Sequence, residues 1–171
     1  TVLFFVIRIL DIKDLESIPW NIILLFGGAM SIGFCLWETG AAEWIAINWL
    51  TMFQDSNWFI FVMSMSFLVM LLTNFIMNVA AIAIVLPVAL VIGPYLGVGP
   101  DVITFSALVV AGMPFLLLVG AAPNAIAYDS KQFTTGEFFG YGLPASVILM
   151  IVTGIAVYFI WPVMGMDIMI K

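Results

Sequence analysis

The sequence predicts an all-α, polytopic membrane protein that combines ordinary spans with a re-entrant helical hairpin and a broken transmembrane helix. Three observations carry that prediction. Of 171 residues, 65% are hydrophobic and 8% charged, against about 45–50% and about 25% in an ordinary soluble domain. The charges are confined to short stretches, with no Lys or Arg between positions 14 and 130. The polar residues left inside the apolar tracts are a few amides and hydroxyls set beside turns and prolines. A soluble fold of this size cannot hide so much apolar surface. The same figures exclude disorder, nucleic-acid binding and a disulfide scaffold. Cys35 is the single cysteine, and a chain without histidine is a poor host for haem or a common zinc site.

The elements follow in chain order. Val2 to Leu10 is too short to span and reads as the end of an upstream helix. The chain opens on Thr1 with no signal-peptide pattern, so it is expected to be a piece of something longer. Residues 11–19 are polar, close on Pro19 and read as interfacial. Residues 20–40 suit one transmembrane helix, since a span needs about 20 apolar residues. Gly27, Gly28, Ala29, Ser31 and Gly33 within it let helices approach closely. A phosphate-cradling loop is disfavoured there, because no Lys follows the glycines. Residues 41–54, with Trp44 and Trp49, form an interfacial segment.

Between Asp55 and Asp101 there is no charge at all. Two spans and a turn would need about 44 residues, and one span about 20. The apolar tract at 58–92 falls between these lengths, with Thr73, Asn74 and Asn78 near its middle. A re-entrant hairpin with its tip at mid-membrane fits that length. The glycine- and proline-rich loop 93–101 returns the chain to water. Residues 101–130 form a broken helix, interrupted at Gly120-Ala121-Ala122-Pro123-Asn124, because proline removes a donor and displaces its predecessor from helical geometry. The last transmembrane helix covers 138–162. With Arg8, Lys13 and Lys131 on one face and Lys171 on the other, the positive-inside rule puts the hairpin mouth outside.

Asn78 and Asn124 each stand where a helix begins, and Asn is a favoured N-cap. One reading is that both only satisfy backbone at breaks, as any broken helix in lipid requires. The other takes the pair together: two half-helix N-termini near the midplane make an anion site, and carbonyls freed at the same breaks suit a small cation such as sodium. No cationic side chain meets an anion at that depth, so dipoles, amides and a co-bound cation would have to neutralise it. Glu38, Asp55 and Asp129 lie at span edges and read as solvated. Nothing resembles a nucleophile–base pair or a metal cluster, so no enzyme is expected.

Three stretches carry a family resemblance: WNIILLFGGAMSIGFCLWETGAAEWIA, LLTNFIMNVAAIAIVLPVA and LLLVGAAPNAIAYDSKQFTTGEFFGYGLP. Together they resemble the carboxy-terminal half of the divalent anion:sodium symporter family, the di- and tricarboxylate and sulfate symporters. The resemblance runs in order over essentially the whole chain. It implies that residues 1–171 are the second of two inverted repeats of a secondary transporter, multi-pass in the cell (inner or plasma) membrane. The first repeat of the same transporter and a second copy in a homodimer would be its partners. By the resemblance, the family's hairpin-tip Ser-Asn-Thr falls on Met77, Asn78 and Val79, keeping only the amide. Its Ala-Thr-Pro-Pro-Asn-Ala break falls on Gly120 to Ala125, keeping Pro123, Asn124 and Ala125. Sodium (Na+), the coupling ion, would then be held by Thr73, Ile76, Asn78 and Gly120. Substrate would be met by Met77, Asn78, Val79, Ala121, Ala122, Pro123 and Asn124. The lost hydroxyls leave the sodium position better preserved than the substrate position. The expected activity is sodium-coupled transport of a dicarboxylate, tricarboxylate or sulfate-like anion by alternating access. The alternatives are an arsenite or proton-coupled permease and a non-transporting membrane scaffold.

Overall fold

The computed structural model describes residues 20–169. The expected upstream helix end, the interfacial stretch 11–19 and three of the four basic residues (Arg8, Lys13 and Lys171) lie outside them. The described residues form helices joined by short non-helical stretches, with one isolated bridge between Val98 and Met169. In order they form α1 (Trp20–Glu38), α2 (Ala41–Met52), α3 (Trp58–Leu72), α4 (Asn78–Ile92), α5 (Pro100–Ala111), α6 (Ala122–Asp129) and α7 (Thr135–Ile155). A 3-10 turn, Gly93–Leu96, extends α4; α7 runs on through a π turn at Ala156–Ile160 to Val163.

Local chemistry sets the boundaries. Gly40 sits at φ 71°, a left-handed conformation that costs glycine nothing, and α1 and α2 bend by 65° around it. The Asn57 side-chain oxygen, Oδ1, accepts the Phe59 N–H at 3.0 Å and caps the start of α3. Thr134 and Glu137 form a capping box at the head of α7, which satisfies two otherwise unpaired donors. Helix α5 stops at Ala111, ahead of Gly112 and Pro114. The break in residues 101–130 is therefore wider than the sequence suggests. It covers 112–121, because Pro114 ends one helix well before Pro123 helps begin the next. Pro123 falls in the first turn of α6, where a missing N–H costs nothing.

Two stretches are long and apolar enough to cross a membrane, Asn78–Leu96 and Thr135–Val163, and the bent pair α1–α2 counts as a third if it is one span. Helices α3 and α5 are apolar but shorter, at 15 and 12 residues, or about 22 and 18 Å at 1.5 Å per residue. The core lies where α3, α4 and α5 meet, around Phe61, Val62, Met65, Val85, Ile103 and Ala107, all fully buried. Small residues on α2, Ala42 and Ala46, lie against it at helical spacing, while Trp44 on the opposite side is 68% exposed. Ser64 on α3 accepts the Trp49 indole N–H at 2.8 Å and ties α2 to the core.

Helix α7 crosses behind the break. A Cβ on Gly142 would run into the carbonyl oxygen of Phe115, whereas one on Gly140 would meet nothing within 4 Å. Gly142→Ala is therefore expected to lower the stability of the detergent-solubilised protein by about 1–3 kcal/mol, as overpacking against backbone does. Gly140→Ala, in the same helix, should leave stability unchanged or raise it by about 0.5–1 kcal/mol. Melting temperatures of the two variants, measured side by side, check the pair.

Candidate functional site

Helices α3 and α4 pack on each other and are joined by a tip of five residues, 73–77. Thr73, Asn74 and Ile76 turn inward and are buried; Phe75, Met77 and Val79 are exposed. The Thr73 hydroxyl donates to the Met70 carbonyl at 3.0 Å. That bond uses its proton and leaves oxygen lone pairs available to a cation. Asn78 is the first residue of α4. Met77 holds the N-cap position, and no side chain caps the helix. The expectation that Asn78 caps α4 is therefore corrected, because its residue is one place too far into the helix for that bond. Its amide oxygen is buried and has no hydrogen-bond partner, alone among the buried side-chain polar atoms of the described residues. Such an orphan acceptor is rare, because burial without a partner costs the full desolvation of the group.

The break supplies the other side. After Ala111 the chain runs without helix to a 3-10 turn at Leu118–Gly120, and Ala121, fully extended at φ −148° and ψ 144°, leads into α6. Asn124 is not a cap either. It lies at the third position of α6, and its Nδ2 donates back to the Pro114 carbonyl at 2.9 Å, holding the two ends of the break together. The Gly120 carbonyl has lost its usual helical partners. Three residues on stands Pro123, which has no N–H, and the next amide, Asn124, donates to Ala121 at 3.1 Å.

Tip and break meet through Asn74. Its amide oxygen accepts the N–H groups of Leu116 and Leu117, both at 3.0 Å. The close approach depends on Gly120, where a Cβ would lie 3.3 Å from the Asn74 Cα and 2.7 Å from the Pro114 Cβ. On the outer side α1 makes a matching approach: a Cβ on Gly33 would sit 2.7 Å from the Phe75 carbonyl oxygen. Between α1, tip and break lies a cavity of about 490 Å³. Its walls include Gly33, Phe34 and Trp37 from α1, Ile76, Met77 and Val79 from the tip, and Gly120 from the break. They are predominantly apolar, and no charged residue is among them.

Four of the residues singled out in the sequence thus share one cavity: Ile76, Met77, Val79 and Gly120. Thr73 lies buried in the same tip, and Asn78 stands between Met77 and Val79. Ala121, Ala122, Pro123 and Asn124 follow Gly120 into the first turn of α6 and do not line the cavity. Two contributors escaped the sequence reading. Asn74 was visible as a mid-tract amide but had no role. Helix α1 was read as packing surface, and only the clearance at Gly33 identifies it as a wall of the cavity.

Comparison with known proteins follows the same lines. The citrate transporter family model matches residues 1–168. The sodium-dependent dicarboxylate transporter SdcS of Staphylococcus saprophyticus is 26% identical over 162 residues, which cover 94% of this chain and 31% of that protein. The SdcS proteins of Staphylococcus aureus strains MRSA252 and USA300 are 28% and 27% identical over the same length. The chain spans 31% of the length of these relatives.

The two asparagines are expected to differ in what they do for stability. Asn78→Leu removes an acceptor that has no partner, so the melting temperature in cation-free buffer should hold or rise. Asn124→Leu strands the Pro114 carbonyl and should lower stability by about 1–3 kcal/mol. Equal losses in both variants would contradict the orphan assignment.

Proposed function

The chain belongs to the citrate transporter family, a family of transporters rather than enzymes, and from that premise we propose that it is the second repeat of a sodium-coupled anion transporter. In this reading residues 58–92 are a re-entrant hairpin, 101–130 a broken helix, and 20–40 and 138–162 the flanking spans, with 41–54 at the interface. The hairpin arms favour this arrangement. Helix α3, at 15 residues, falls short of a hydrocarbon core about 30 Å thick. Helix α4 reaches span length only with its 3-10 extension.

The single observation that carries the proposal is the buried, unpartnered oxygen of Asn78. A carboxamide oxygen kept dry and unbonded is stabilised by a hard cation, and an alkali-metal ion needs several such oxygens at once. The Asn78 oxygen, the Thr73 hydroxyl and the Ile76 and Gly120 carbonyls are the donor set this chain offers. All four are neutral oxygen donors, which suits a singly charged ion that must be released again. Sodium is cargo here, bound and given up in each cycle.

The anion would sit beside it, over Met77, Asn78 and Val79 at the tip and Ala121, Ala122, Pro123 and Asn124 at the start of α6. Two helices begin there, and their free amides carry partial positive charge. Without a basic residue, dehydrating an anion at this depth is costly. A bound sodium offsets part of that cost, which makes binding of the two ions mutually dependent. The relatives named for dicarboxylate transport support a dicarboxylate as substrate, and tricarboxylates and sulfate fall within the same chemistry. Alternating access would move this site past the first repeat, in a homodimer embedded in the cell membrane.

Uptake by proteoliposomes holding the full-length protein tests this directly. Succinate, citrate, sulfate and phosphate are offered with and without an inward sodium gradient, and at least one should enter only with it. Asn78→Ala and Asn124→Ala should abolish sodium-dependent uptake. Uptake driven equally by a proton gradient would favour the proton-coupled permease. A protein that moves none of the panel, with loss of stability as the only effect of the Asn124 variant, would favour the scaffold.

A further inference from the structure

Asn74 is the polar residue that neither the cation set nor the anion set uses, yet its side chain makes more hydrogen bonds than either asparagine in those sets. It is 1% exposed, and every strong hydrogen-bonding direction it uses is directed at backbone. Nδ2 donates to the Met70 carbonyl at 2.7 Å, one turn back in α3. The amide oxygen accepts Leu116 and Leu117, residues 42 and 43 positions away in the chain. Those two amides lie in the non-helical part of the break, where no helix serves them. No other hydrogen bond among the described residues joins tip to break.

We infer that Asn74 is a positioning residue: it fixes the Gly120 side of the cation site against the hairpin tip, so that the four oxygens are held in place before sodium arrives. The inference rests on the proposed sodium site and adds the element that assembles it. Three of the four donors lie at the tip or directly after it, Thr73 and Ile76 within it and Asn78 at the start of α4; the fourth, Gly120, belongs to the break. Asn74 lies in the tip, next to Thr73, and grips the break three and four residues before Gly120. The Cα of Asn74 also forms part of the floor on which Gly120 rests. Without the clamp the Gly120 carbonyl must be recruited by the ion itself, and the ordering cost appears as weaker sodium binding. The bonds that the anion needs are not changed, so the maximal rate at saturating sodium should be preserved.

The test uses the full-length protein in detergent and in proteoliposomes, with sodium chloride titrated against choline chloride at constant ionic strength. Sodium binding is followed by the shift in melting temperature, and transport by uptake of whichever anion the wild type carries. Asn74→Leu should raise the half-saturating sodium concentration about tenfold in both assays, as expected for two lost amide bonds, with the maximal rate nearly unchanged. Asn74→Asp keeps an oxygen for Leu116 and Leu117 but loses the Nδ2–Met70 bond, so its half-saturating sodium concentration should fall below that of Asn74→Leu. Gly120→Ala, which leaves Asn74 intact but presses the break away from the tip, should weaken sodium binding in the same way. It also keeps the inference testable if Asn74→Leu fails to fold.

Hydrogen exchange over residues 113–121 gives a readout with no reference to transport. Asn74→Leu should accelerate it about tenfold or more, and Asn74→Asp should restore protection. Unchanged exchange together with unchanged sodium dependence in Asn74→Leu would overturn the clamp and leave the transport reading standing. Faster exchange in a protein whose wild type shows no sodium effect at all would retain the clamp as a link between tip and break. The transport reading would fail, and the positioning role would fail with it.

Discussion

The amide groups of Leu116 and Leu117 have left one helix and not yet entered the next, so no helical carbonyl serves them. The Asn74 oxygen, reaching across from a different element, takes both. Any chain that breaks a helix inside a membrane must settle its free backbone groups within the protein. Here Asn74, in the tip between α3 and α4, serves both amides and brings tip and break together. The Gly120 approach, the Asn124–Pro114 bond and the α7 crossing at Gly142 all complete the same junction.

Against that economy the Asn78 oxygen stands out. Thr73, Asn74 and Asn124 each have a backbone partner, so the region is capable of satisfying its own polar atoms. One acceptor is nevertheless left dry. Structural mending explains the partnered residues and does not explain this one. The proposed cation, which brings positive charge and no hydrogen-bond demand of its own, would. The cavity next to it is mostly apolar and without charge, which keeps the dielectric low and strengthens whatever attraction an ion finds there.

Much of this was legible in the chain. The absence of charge from 56 to 100 and the clustering of Thr73, Asn74 and Asn78 within it located the tip, because apolar residues and amides separate cleanly in a sequence with so little polarity. Pro123 and Asn124 located the second helix start. The details of bonding were not legible. Asn78 and Asn124 look like caps, and neither is one, since Asn78 lies one residue and Asn124 three residues past the N-cap position. The break proved longer because Pro114 acts from the other end. Asn74 and Gly33 were visible only as a mid-tract amide and a small packing residue, and their particular roles follow from what they touch.

By itself the sequence determined that the chain is helical and apolar enough for a membrane, where its helices are interrupted and which residue types remain to do chemistry. Those are consequences of composition and local propensity, which act over a few residues at a time. Only the tertiary structure decided which interruption meets which, that one asparagine serves the break while another is left unpaired, and that α1 supplies a wall. Hydrogen bonds spanning more than forty residues and clearances set by missing Cβ atoms are properties of packing, and no local pattern encodes them.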